Sequence, residues 1–174
     1  MRVAAVLVFL VLLALAYYSP AHSDGSVLLV RINGEIDYIK SQVLSDAIAT
    51  ASAQGCRLVV VELNTVGGGI EYVRRVVELF ESSPVPVCVY VYPSGAIAFR
   101  LGTYVLMAAH IAAMAPDTVI GLSRPLHASA EVINALSDFM TTRARLHCRN
   151  ETAARLMVTE GLKLKPHDAL RNHV

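Results

Sequence analysis

"VPVCVYVYPSGAIAFRLGTY", residues Val85 to Tyr104, decides how this chain is read. Val85 to Tyr92 is rich in valine and tyrosine and reads as a strand. Pro93, Ser94 and Gly95 break it, and an apolar helical pattern follows from Ala96 to about His110. A buried strand that turns sharply into a helix is a frame in which hydrolases display a serine, because the helix's first N–H groups can stabilise an oxyanion. Yet Ile97, Phe99 and Arg100 stand where a nucleophile is sought.

Outward from this junction, strands and helices alternate. "SVLLVRINGEI" reads as a strand ending in a turn at Asn33-Gly34, and "SQVLSDAIATASAQG" as a helix with Ser41 as cap and Gly55 as stop. "RLVVVEL", Arg57 to Leu63, is a continuous apolar run of the kind buried on both faces of a parallel sheet. A helix follows with Ile70, Val73, Val76, Val77 and Phe80 on one face. "IAAMAPDTVIGL" supplies further short strands, and the chain is helical from Ala130 onward with a break around Cys148 to Asn150. Strands alternating with helices of about a dozen residues define an α/β fold of βαβ units around a mostly parallel sheet.

Composition narrows the function classes. The chain has 174 residues and a net charge of +1, with no basic run, which excludes nucleic acid as a partner. Arg2, the apolar run Val3 to Ala16, and Ala21 and Ser23 have the layout of a leader cut after Ser23. An uncleaved anchor is the other reading, though the run is short of the roughly 20 residues that span a bilayer. Either makes the rest, residues 24–174, one domain that is exported or membrane-anchored on the non-cytoplasmic side. Cys56 and Cys88 read as buried structural thiols, and with Cys148 they allow at most one disulfide. No CxxC or H-x₃-H spacing calls for a metal, and nothing calls for a cofactor. "NET", Asn150 to Thr152, reads as a helix start.

Ligands of open α/β sheets bind beyond the carboxyl ends of strands. A second such loop lies at "ELNTVGGGIEY", where Gly67 and Gly68 can leave backbone N–H groups free to face an anion. It lacks the Lys-Ser/Thr of a P-loop and the spacing of a dinucleotide fingerprint.

The two loops together, in order and spacing, resemble the N-terminal domain of the NfeD proteins, the stomatin operon partners, which are membrane-bound ClpP-class serine proteases. The resemblance covers residues 26–174 and includes "VEL-T-GG", "VPV-VYVYP-GA", "GTY", "RNETAARLMV" and "LKPHDAL". It implies a ClpP/crotonase-like spiral of βαβ units and an oxyanion hole from Gly67 and Gly68. It also implies a Ser/Lys dyad that cleaves hydrophobic segments, notably of stomatin-like membrane proteins, and a homo-oligomer. The family's turn reads approximately G-A-S-A-A-S-A-G-T-Y with the second serine as nucleophile. Laid on this chain, it puts Ile97 at the first serine and Arg100 in the nucleophile slot. The lysine slot falls near Glu131, and no lysine occurs between Lys40 and Lys163.

Three readings stand on this. The first is a degenerate ClpP-class domain that binds peptides or assembles, with a buried Arg100–Glu131 ion pair in place of the dyad. The second is an active hydrolase using Ser94 or Ser123 with His127, oriented by Asp117 or Asp138. The third is a truncated oligomerisation module, since the family's membrane helices and β-barrel domain do not follow. His110 reads as a partly buried structural histidine, and Lys163 and Lys165 as solvated surface.

Overall fold

A computed structural model describes residues 25–122 and 129–174. Four strands, β1 (Val27–Asn33), β2 (Leu58–Asn64), β3 (Val87–Val91) and β5 (Ile111–Met114), form a parallel sheet in the order β1-β2-β3-β5. The apolar runs become its interior: Val59, Val61, Val87, Val89 and Val91 have no exposed surface. Helices α1 (Tyr38–Ala53) and α2 (Ile70–Glu81) make the β1-to-β2 and β2-to-β3 crossovers. Val73, Val76, Val77 and Phe80 of α2 are buried as its periodicity requires, whereas Ile70 is exposed. The cap of α1 is Asp37, whose carboxylate accepts from the Lys40 N–H at 2.8 Å. Ser41, expected as the cap, is instead buried and donates to the Tyr38 carbonyl.

The largest departure from the sequence reading follows Gly95. Instead of one helix from Ala96, the chain makes a short strand, β4 (Ile97–Phe99), and then helix α3 (Leu101–Ala108). Strand β4 pairs in parallel with β6 (Val119–Gly121), which pairs antiparallel with β7 (Lys163–Leu164), forming a second small sheet. Periodicity could not separate β4 from the helix, because three apolar residues fit either pattern.

Helix α4 (Ala130–Leu146) packs on α5 (Glu151–Thr159) and α3, and α6 (Pro166–Arg171) closes the described chain. Asn150 caps α5 through the Ala153 N–H at 3.0 Å, the role read into "NET". Cys56, Cys88 and Cys148 are free thiols, the first two buried. No described helix is long and apolar enough to cross a membrane.

Two histidines meet where α4 ends beside α3. The His110 and His147 rings lie edge to face, 5.7 Å between centroids, and Nδ1 of His110 accepts from the Val87 N–H at 3.2 Å. His110 is more exposed than expected, yet this bond makes it structural. Burial, and then the charge of Arg149 and the neighbouring His110, hold His147 below the usual imidazole range, with Glu81 opposing weakly. Folding therefore favours neutral His147. Its contribution is fully present above the unfolded pKa of about 6.5 and is lost as pH falls through the lower folded value. The urea midpoint should fall between pH 7.5 and 5.5, and a His147→Asn variant should show a smaller fall over that range.

Candidate functional site

The strand-to-helix junction is an elbow with Arg100 at its tip. Arg100 adopts φ 52° and ψ −121°, a conformation that a side chain occupies at a cost of about 1–3 kcal/mol and that clusters at functional turns. Its own side chain does not hold it there. The Arg100 N–H donates to the Gly121 carbonyl at 3.0 Å, and the Arg100 carbonyl accepts from the Thr103 N–H at 3.0 Å. The fully buried Thr103 hydroxyl lies 2.8 Å from the Ala98 carbonyl and 2.9 Å from that of Gly121, and accepts from the Gly121 N–H at 3.1 Å. "GTY" in the sequence thus marks the clamp of the elbow.

The glycine loop abuts this elbow. Thr65 bonds along one edge of β4, its N–H donating to the Ile97 carbonyl and its carbonyl accepting from the Phe99 N–H. Gly67 has φ +117°, and a Cβ there would stand 3.2 Å from the Leu101 nitrogen, so glycine lets loop and helix start touch. Gly68 pairs with Ile36 so closely that a Cβ would lie 2.0 Å from the Ile36 carbonyl oxygen. The two glycine amides are not equivalent. The Gly67 N–H is taken by the Thr65 hydroxyl at 3.0 Å. The Gly68 N–H and the first helical amide, Leu101, have no hydrogen-bond partner among the described residues. Sequence reasoning found the glycines but missed Leu101, because a helix's first amide leaves no signature of its own.

Beside these amides runs a groove of about 580 Å³. Glu35 and Arg100 line it as charged groups, with Val66, Leu101, Val132 and Leu136 among its apolar walls. It continues past Tyr104 to Val73 and Phe139. Tyr104 is 2% exposed, and its hydroxyl, closed off from solvent, has no hydrogen-bond partner among the described residues. Burial raises its pKa, so it remains a neutral donor.

The Arg100–Glu131 ion pair is not formed. Both side chains are exposed, Glu131 lies in the first turn of α4, and no described carboxylate is within ion-pairing distance of Arg100. The expectation treated Arg100 as buried on a helix face; at the elbow tip its guanidinium reaches water and needs no partner. Ser94 sits on the exposed turn before β4, its hydroxyl 3.4 Å from the Asp117 carboxylate, and does not line the groove. Ser123 and His127 lie outside the described residues. Asp138 is exposed on α4. Lys163 and Lys165 are exposed as expected.

A parallel sheet, a flanking glycine loop and a strained strand-to-helix elbow beside a groove define a domain of the ClpP-like fold. The ClpP1 structure from Listeria monocytogenes shares the fold, with a TM-score of 0.67 at 15% identity over 83% of this chain and 86% of that one. The chain belongs to the family of NfeD-type, ClpP-class N-terminal domains. It is 31% identical over 163 residues to the membrane-bound protease PH1510 of Pyrococcus horikoshii, covering 88% of this chain and 37% of that protein. Its fold matches a lysine-to-alanine variant of the membrane-bound stomatin-specific protease 1510-N, in complex with a substrate peptide. The TM-score is 0.84 at 30% identity, over 87% of this chain and 74% of that one. The 1510-N membrane protease specific for a stomatin homolog, from P. horikoshii, gives 0.78 at 31% identity, over 87% and 72%. No protein-family model matches the chain.

Proposed function

We propose that this chain is a ClpP-class domain that holds extended apolar peptides without hydrolysing them. The supporting observation is Arg100 at the tip of the elbow, where a hydrolase of this class needs a nucleophile. A guanidinium stays protonated at working pH and attacks nothing. The base is missing as well: no lysine lies between Lys40 and Lys163, and Lys163 is exposed on β7 with its Nζ 5.4 Å from the Phe99 ring centroid. What remains is a groove with apolar walls and free amides, suited to an extended backbone. Since the relatives are membrane-bound and stomatin-specific, the peptides are hydrophobic segments of stomatin-like membrane proteins, held by a self-associating domain on the non-cytoplasmic face.

A fluorophosphonate probe tests the loss of hydrolysis. The full chain should show no covalent labelling under conditions that label a ClpP control. Labelling that disappears in Ser94→Ala or Ser123→Ala would restore the hydrolase reading and overturn this one.

A further inference from the structure

We infer that the groove selects peptides by their free C-terminal carboxylate, which Arg100 receives together with the Gly68 and Leu101 amides, unpaired among the described residues. The inference rests on the peptide-holding reading and adds to it the part of the ligand that is recognised.

Two kinds of donor line this groove. Arg100 lines it with a planar cation that no described carboxylate neutralises, and such a fork matches a carboxylate in bidentate fashion. Gly68 and Leu101 bring two N–H groups from adjoining segments, one of them the first amide of an eight-residue helix. Tyr104, one turn further along the same helix, belongs to the groove wall, but its hydroxyl is closed off from solvent and takes no part in this.

In a protease these amides meet an oxyanion that exists only during reaction. Here a permanent cation stands where the attacking group would be, so the complementary ligand is a permanent anion. A chain terminus fits better than an acidic side chain for two reasons. Beyond the cation the walls are apolar, from Val66 and Leu101 to Val132 and Leu136. Glu35 lines the same groove without pairing to Arg100, and it disfavours a second negative charge along the ligand. The ligand class is therefore an extended peptide with one terminal carboxylate behind apolar residues, the kind of end that a proteolytic cut leaves.

Fluorescence polarisation on the full chain in mild detergent tests this with three N-terminally fluorescein-labelled peptides. One is Lys-Gly-Ser-Val-Leu-Val-Leu with a free carboxylate, the second its C-terminal amide, and the third the amide with an internal glutamate. The free acid should bind about tenfold more tightly than either amide. In Arg100→Gln that preference should vanish, while Tyr104→Phe, which removes a hydroxyl closed off from solvent, should keep it. Equal binding of acid and amide by the wild type overturns the carboxylate assignment and leaves peptide holding intact. A preference that survives Arg100→Gln overturns the role of Arg100, and glutamate–amide binding as tight as the acid overturns the terminal assignment. Binding of none of the three overturns the peptide-holding reading itself.

Discussion

Replacing Arg149 by methionine is expected to lower the thermal unfolding midpoint by roughly 10 °C. After α4 the chain turns through Cys148, at φ 55°, and sends Arg149 back beneath the end of α3. There its guanidinium donates to the carbonyls of Leu106, Met107 and Ala109 at 3.2, 2.7 and 2.7 Å. These are carbonyls at a helix end, where intrahelical donors run out. The cation is costly to bury: desolvation lowers its pKa from 12.5 to about 10, opposed only slightly by Cys88. That lowering corresponds to roughly 3 kcal/mol against the charged form. Three bonds from a charged donor contribute about 1.5–3 kcal/mol each, so the bonds outweigh the burial. Methionine removes both terms and leaves a net loss of about 3 kcal/mol, which for this chain length moves the midpoint by about 2–4 °C per kcal/mol. Calorimetry on the wild type and Arg149→Met measures the shift. An unchanged midpoint would mean that water replaces the guanidinium without loss.

Gly68→Ala should cost about as much in stability and should also abolish peptide binding. The added methyl would lie 2.0 Å from the Ile36 carbonyl oxygen, a backbone atom that cannot rotate away. That carbonyl accepts from the Gly69 N–H at 3.2 Å, and the Ile36 N–H donates to the Gly67 carbonyl at 2.8 Å. Relieving the clash breaks this bridge, which fixes the glycine loop, and with it this part of the groove wall, against the α1 entry. The loss is about 2–4 kcal/mol, in the range of mutations that open a structural contact. Gly95→Ala is the control. Gly95 also has positive φ, but a methyl there meets nothing within 4 Å, so only the backbone term of about 1 kcal/mol applies. Hydrogen exchange should show the Ile36 and Gly69 amides losing protection in Gly68→Ala and keeping it in Gly95→Ala.

The parallel sheet was legible because its two central strands, Leu58 to Asn64 and Val87 to Val91, are largely buried on both faces and read as unbroken valine-rich runs. Helix α2 was legible from four apolar positions on one face. Strand β4 was not, since Ile97, Ala98 and Phe99 carry no period long enough to tell strand from helix. The cap of α1 was misread because Asp37 and Ser41 are both good caps and only the backbone path chooses between them. At the site, the glycine loop and the turn that carries Arg100 stand out in the sequence by their order and spacing, and the structure sets the two side by side. Whether Arg100 pairs with Glu131 could not, because an ion pair depends on where two side chains point and on whether water reaches them. The unequal state of the Gly67 and Gly68 amides was likewise hidden, since it turns on one hydroxyl, that of Thr65.

The elbow has one further consequence. Among the described residues, every bond that fixes Arg100 comes from its main chain or from Thr103 and Gly121, and none from its own side chain. The position is therefore a socket: the frame decides where a side chain is displayed, and the residue decides only what is displayed. A family built on such a socket can exchange reaction for recognition at a single site while the rest of the fold stays as it is.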